Sequence, residues 1–202
     1  MFALIDDQQI TKFFSGNRGV TLGDVQYPKS IFSLWSEAER NAIGIYEVTV
    51  DTTNRKDEQW YINTNVSYGV ESNKAVGSYG TATAKAHADT LFTAQDEIDG
   101  LGTEGEVATR GLKYNLIQTV KQQAAGILQN TDWYIVRKAD AGTAVPSAIT
   151  THRAAVRTKA AEQETAITNA ADTPALETLY TYTTDGEGVT SRPLGELPRL
   201  DS

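Results

Sequence analysis

Hydrophobic residues in the second half of the chain recur at steps of three and four positions. The first such stripe runs from Leu112 to Leu128, and the second contains Ile149, Val156, Ala160 and Ile167. This spacing places apolar side chains on one face of a helix, and Pro146 suits the first turn of the second helix. We therefore expect two amphipathic helices packed as an antiparallel hairpin, with a connector of about fifteen residues between them.

Residues 1–80 follow a different pattern, in which short strands alternate with turns. Ile45–Val50 has the strand period, and a polar run links it to a second strand over Gln59–Tyr68, which predicts a β-hairpin. Further strands are expected at Phe2–Ile5 and Lys74–Tyr79. A short helix over Glu37–Ile43 is expected because Ser36 and Glu39 form a capping box and Gly44 can end the helix.

The remaining segments are more polar. Thr83–Thr93 suits a short helix, and Thr173–Tyr182 a last short helix that starts at a proline. After Thr183 the Gly, Pro and acidic content predicts an extended tail with little structure of its own, which a partner would have to hold. The predicted fold is α+β, with four parts: a β-rich module (1–80), an acidic Gly-containing linker (81–106), a helical hairpin module (107–183) and the extended tail (184–202).

Charge is distributed unevenly along the chain. The net charge is -8, yet residues 107–161 carry eight basic and two acidic residues, a net charge of +6, so the rest carries -14. The basic residues are spread over two helices and lack the dense one-sided footprint that phosphate contacts need, so we expect no nucleic-acid partner. An acidic protein partner, or the chain's own acidic flanks, would suit these helices equally well.

Composition also bears on the compartment. The chain has no cysteine, which excludes disulfides, thiolate metal sites and a cysteine nucleophile and fits synthesis in a reducing cytoplasm. No run approaches the roughly 18 apolar residues that span a bilayer, and Asp6 and Asp7 interrupt the apolar start, so we expect neither a signal peptide nor a membrane partner.

Patterns that could carry ligand chemistry are weak. Gly100–Gly105 spells G-x-G-x-x-G, but the carboxylates around it would repel a phosphate, which favours a plain loop. His87 and His152 lack the spacing of zinc ligands, and Asp96–Asp99 lacks the alternation of a calcium loop. No pair of carboxylates in dissimilar environments is indicated. We expect no catalytic residue, no cofactor and no metal.

Leu128–Tyr134 reads LQNTDWY, and a helix led by Pro146 with Arg153 and Arg157 follows it. The Thr131-Asp132-Trp133 signature with these spaced arginines resembles phage tail-fibre assembly and tail-assembly-chaperone-like proteins. The resemblance implies a non-enzymatic tail protein of the tail fibre or baseplate, located in the virion tail and made in the host cytoplasm, with other tail proteins as partners. It leaves open a virion adaptor or a transient assembly factor, and a homo-oligomer.

An alternative function is a polysaccharide-degrading tail enzyme. Such an enzyme would require a cleft lined by two carboxylates roughly 5 to 10 Å apart, and the acidic residues here lie in polar runs where neither burial nor a fixed partner is implied.

The candidate interaction residues are Asp132, Trp133, Tyr134, Arg153 and Arg157. One hypothesis is structural: Trp133 packs against the end of the hairpin, and Arg153 or Arg157 pairs with Asp132. The other is that the cluster forms a surface for another tail protein, because Trp, Tyr and Arg dominate interface hot spots.

Overall fold

The chain folds into two compact units, the first from Met1 to Thr83 and the second from Ala84 onward. The computed structural model describes residues 1–200. A curled five-stranded sheet lies in the first unit and the long helices lie in the second, so the predicted α+β class is confirmed.

Strands dominate the first unit. Its elements are β1 (Phe2–Asp6), β2 (Gln9–Phe14), β3 (Val20–Leu22), β4 (Val25–Tyr27), α1 (Ile31–Leu34), α2 (Glu37–Asn41), β5 (Ile45–Asp51), β6 (Tyr61–Ile62), β7 (Val66–Glu71) and β8 (Lys74–Tyr79). A further short strand, β9 (Thr83–Ala84), begins at the last residue of the unit.

The main sheet has the strand order β2-β1-β5-β8-β7. Its core consists of Phe14, Val20, Ile31 and Ile45, which come from strands β2, β3 and β5 and from helix α1. The predicted capping box starts α2: the Ser36 N–H donates to Glu39 Oε2 at 2.7 Å, and the Glu39 N–H donates to Ser36 Oγ at 3.3 Å.

The predicted hairpin between Ile45–Val50 and Gln59–Tyr68 is wrong. Strand β5 pairs with β8 in parallel, and the hairpin of this region joins β7 to β8. Ser72 and Asn73 form its turn, and both have positive φ, a conformation that matches the twist of two antiparallel strands. A two-residue turn of this kind specifies the β7–β8 register locally, whereas the long polar run after Asp51 specifies none.

The second unit begins with two short strands on either side of a short helix, continues with four helices and ends with two more short strands. Its elements are β10 (Thr90–Leu91), α3 (Ala94–Ile98), β11 (Val107–Thr109), α4 (Leu112–Gln129), α5 (Asp132–Ala141), α6 (Ser147–Asn169), α7 (Thr173–Tyr180), β12 (Thr183–Thr184) and β13 (Thr190–Ser191); β9 ends at its first residue. No helix within residues 1–200 is long and apolar enough to cross a membrane.

Helices α4 and α6 form the predicted antiparallel hairpin. Three contacts join them in reverse chain order: Lys113 Nζ donates to the Thr168 carbonyl at 2.8 Å, Lys121 Nζ lies 3.5 Å from Glu164 Oε2, and Arg153 Nη1 donates to the Leu128 carbonyl at 2.7 Å. All four residues of the predicted α6 stripe are buried, and three polar residues share that stripe: His152, Arg153 and Gln163.

The predicted connector between these helices contains a helix of its own. Helix α5 follows α4 almost directly and ends at Gly142, which has a φ of +68° and donates its N–H to the Lys138 carbonyl at 3.0 Å. A left-handed glycine is a common helix end. The irregular part of the connection therefore shrinks to the segment between Gly142 and Pro146.

The helix expected over Thr83–Thr93 is absent from this described segment, which holds β9 and β10 instead. The residues between these strands cap α4. Gly111 donates its N–H to Asp89 Oδ1 at 2.8 Å, and the Leu112 and Lys113 N–H groups donate to the Ala86 and His87 carbonyls. An extended segment can satisfy the first amides of α4 in this way, and a helix there would use those carbonyls itself.

The tail is more ordered than predicted. Strands β12 and β13 pair, Leu194 is buried, and Gln163 Nε2 donates to the Gly195 carbonyl at 2.9 Å. The expectation of little structure after Thr183 is therefore wrong for residues 184–195, because one apolar anchor and one buried amide hold the segment on α6, whereas residues 196–200 form neither helix nor strand. The last two residues of the predicted tail, 201–202, lie outside the described residues.

Candidate functional site

The junction between α4 and α5 is organised by one buried arginine. Arg153, which is 7% exposed, reaches from α6 with Nη1 to Thr131 Oγ1 at 2.7 Å and to Asp132 Oδ1 at 2.8 Å, beside its bond to the Leu128 carbonyl. The Thr131 hydroxyl also donates to the Leu128 carbonyl at 3.0 Å. The last carbonyls of a helix lack partners within it, so this clamp satisfies the end of α4 and holds the start of α5.

Of the two aromatic residues that follow the clamp, Trp133 is exposed and Tyr134 is partly buried. Trp133 is 51% exposed, and its ring stacks on that of Tyr134 with centroids 4.0 Å apart. The Arg137 guanidinium lies over both rings, at 4.5 Å from the Trp133 centroid and 5.5 Å from that of Tyr134. Cation–π stacking of this kind orders a side chain at the surface. Trp133 is thus displayed in a defined position, and the expectation that it packs the hairpin end does not describe it.

Helix α5 as a whole buries none of its side chains. Val136 is 65% exposed, and Ile135 is exposed beside it. We call Trp133, Tyr134, Ile135, Val136 and Arg137 the α5 surface. A helix of this length is marginal in water by itself, so α5 relies on its ends: the Arg153 clamp at the start and Gly142 at the finish.

The structure brings four of the five candidate residues together. Asp132, Trp133, Tyr134 and Arg153 meet at the α4–α5 junction, whereas Arg157 is exposed and has no ion pair within the described part of the chain. Arg153 is the arginine that pairs with Asp132. Sequence reasoning missed Arg137 and Val136. The signal for Arg137 was its position four residues after Trp133, because side chains at that spacing meet on a helix.

The glycine-rich loop and the possible metal ligands were the other candidates for a ligand site. Helix α3 precedes Gly100–Gly105 and a strand follows it, the reverse of the strand-loop-helix order of a dinucleotide site. Within residues 1–200 no group of three or more His, Asp or Glu side chains could hold a metal ion.

Among residues 1–200, four side-chain carboxyl groups have clearly shifted pKa values, and all four values are lowered. Hydrogen bonds from Ser36 lower the pKa of Glu39, and those from Thr53 lower that of Asp51. The N–H of Gly111 and then the Arg110 guanidinium lower the pKa of Asp89, and bonds from Thr93 lower that of Asp96. A glycosidase acid would need the opposite shift, so none of these four carboxyls is suited to that role.

Comparison with protein-family models, curated proteins and solved structures finds no match to this chain. The chemistry of the α5 surface therefore follows from its own residues: ordered aromatic and aliphatic side chains with a cation among them, typical of a contact surface for another protein.

Proposed function

We propose that this chain is a non-enzymatic phage tail protein of the tail fibre or baseplate, which acts as a virion adaptor through protein–protein contacts of the α5 surface. The observation that carries the proposal is the exposure of Trp133 and Val136 on a helix that has no fully buried side chain. Exposed apolar side chains grouped in this way mark interaction sites.

The clamp adds a second line of support. Trp and Arg contribute most to interface hot spots, and binding costs less free energy when such side chains are ordered beforehand. Arg153 fixes where α5 leaves the hairpin, and Arg137 orders the Trp133 ring. Both features reduce the conformational entropy that would be lost when a partner binds.

The resemblance to tail-fibre assembly proteins fits this division of labour. Thr131 and Asp132 bind Arg153 of the Pro146-led helix, and Trp133 follows them directly in the chain. The residues of the signature thus have two roles. Thr131, Asp132 and Arg153 form the clamp, and Trp133 lies on the α5 surface next to it.

The test is incorporation of a surface variant into phage particles. We expect Val136→Asp to fold like the wild type, because exposed substitutions change stability by about 0.5 kcal/mol or less. We expect its amount per particle, measured by quantitative mass spectrometry, to fall at least about tenfold, because an unpaired charge in an interface costs more than about 1.4 kcal/mol. Val189→Asp is the matched control, since Val189 is exposed in the β12–β13 turn.

The outcomes separate the roles. Wild-type chain present in stoichiometric amounts supports a resident adaptor. Absence of the wild-type chain from mature particles would replace the adaptor with a transient fibre-assembly factor. Normal incorporation of Val136→Asp would show that α5 is not the contact surface.

A further inference from the structure

An acidic arm lies before α4 in the second unit. It comprises residues 90–109, in which β10 and β11 pair and α3 lies between them. The arm carries no basic residue and five carboxylates: Asp96, Glu97, Asp99, Glu104 and Glu106. Two aliphatic side chains project among these charges, Ile98 at 78% exposure and Leu101 at 65%.

The arm has a defined shape. Thr93 and Asp96 form a capping box at the start of α3, and the Glu104 N–H donates to Glu97 Oε2 at 2.9 Å. The Phe92 ring lies so close to Gly102 that a side chain there has no room. Ile98 and Leu101 are therefore presented by an ordered structure, which lowers the entropy cost of binding them.

The arm and the α5 surface lie at opposite ends of α4. Asp89 ties the base of the arm to the start of α4 through Gly111 and Arg110, and Arg153 ties α5 to its end. The 18 residues of α4 span about 27 Å. Within one molecule the length of α4 therefore separates the points at which the two surfaces are attached.

The two surfaces are complementary. The arm is acidic with exposed aliphatic side chains, whereas α5 presents Arg137 and Lys138 beside the exposed Trp133 and Val136. Of the two acidic residues of α5, Asp132 is already paired with Arg153. Opposite charge steers association and fixes its orientation, and apolar contact supplies much of the affinity.

We infer that the α5 surface binds the acidic arm of a second copy of this chain. The inference rests on the proposed role of α5 as a contact surface and names its partner. Because each copy offers one arm at one end of α4 and one α5 at the other, the contact is head-to-tail. Such contacts close into a ring or extend into a filament.

Sedimentation velocity across a concentration series tests this assembly. The wild type is expected to sediment as oligomers that grow with concentration and dissociate as salt is raised, because screening weakens exposed charge pairs. Val136→Asp removes the receiving surface and Ile98→Asp removes the arm, so each variant alone is expected to stay monomeric. Leu34→Asp, an equally exposed aliphatic in the first unit, is expected to assemble like the wild type.

Mixing the two monomeric variants gives the sharpest result. One intact arm and one intact α5 surface remain in the mixture, so heterodimers form, and they cannot grow because their remaining surfaces are both disabled.

A mixture that stays monomeric would overturn the head-to-tail contact. A wild type that is monomeric up to about 100 µM, a dissociation free energy near 5.5 kcal/mol, would overturn self-association. Loss of Val136→Asp from particles beside a monomeric wild type would leave the proposed adaptor role intact and refute this inference alone.

Discussion

Arg153 shows how one side chain can serve both stability and display. Its charge is buried, and burial of a charge is unfavourable unless polar partners surround it. Here the partners are the Leu128 carbonyl, the Thr131 hydroxyl and the Asp132 carboxylate. All three belong to the α4–α5 junction and contact Nη1, so the same contacts that pair this end of the guanidinium also hold the start of α5, whereas Nε is buried without a hydrogen-bond partner among the described residues.

Replacing Arg153 with Met is expected to destabilise the chain by about 2 to 4 kcal/mol, because the Leu128 carbonyl and the Thr131 hydroxyl lose a charged donor. Urea unfolding followed by circular dichroism measures the change. Arg157→Met is the control, since Arg157 is exposed on the same helix and its loss is expected to cost about 0.5 kcal/mol or less. Equal effects of the two substitutions would contradict the clamp.

Asp89 gives a prediction about pH. Its pKa is lowered in the folded chain by the Gly111 N–H and by Arg110, so ionisation of this carboxyl favours folding. The contribution is complete above the ordinary aspartate pKa of about 3.9 and is lost as pH falls through the lower folded value. Asp89→Asn is therefore expected to be less stable than the wild type at pH 6, with the difference shrinking below about pH 4.

Denaturant titrations at several pH values measure that difference. Asp140→Asn serves as the reference, because Asp140 is an exposed aspartate of α5 with no ion pair among residues 1–200. A stability gap between the wild type and Asp89→Asn that persists unchanged at pH 3 would show that Asp89 does not cap α4 as a carboxylate.

Among the elements, the long helices were predictable and α5 was not. Burial imposes the 3.6-residue period on α6, and the apolar members of its stripe are all buried. Helix α5 has no fully buried side chain, and its large apolar residues form one continuous run, Trp133–Val136, instead of a spaced stripe. Its end signals were in the sequence, with Asp132 in the first turn, Lys138 in the last and Gly142 after it. An exposed helix of this kind can be recognised in a sequence by the residues at its two ends.

The tail is an element held by few residues, which makes it testable. Leu194→Ala is expected to destabilise the second unit by about 2 to 5 kcal/mol, because it truncates a buried leucine side chain. Val189→Ala, in the exposed turn before it, is expected to change stability by about 0.5 kcal/mol or less. Thermal unfolding of both variants provides the comparison, and an unchanged Leu194→Ala would mean that the segment does not pack on α6.

At the scale of the whole molecule, local patterns predicted the α+β class and the positions of three strands of the main sheet, β1, β5 and β8. They could not predict that β5 pairs with β8 in parallel, because that pairing depends on residues far apart in sequence. The roles of the candidate interaction residues also depend on contacts between distant parts of the chain. Asp132 and Trp133 were identifiable from the chain, but their separation into a clamp partner and a displayed ring depends on Arg153, which α6 supplies.

The two ends of helix α4 in the second unit carry different kinds of surface. An acidic arm lies at one end of α4, and an exposed aromatic helix lies at the other. Two such surfaces on one helix would allow the chain to contact two partners, as the adaptor role that we propose requires.

Amide hydrogen exchange of α5 tests the central claim most directly. In dilute, monomeric protein, the amides of Asp132–Ala141 are expected to exchange quickly, because the helix buries no side chain. In purified tail particles that contain the chain, the same amides are expected to exchange at least about tenfold more slowly, as a covered surface requires. Equal exchange of α5 in the free chain and in the particle would contradict the account.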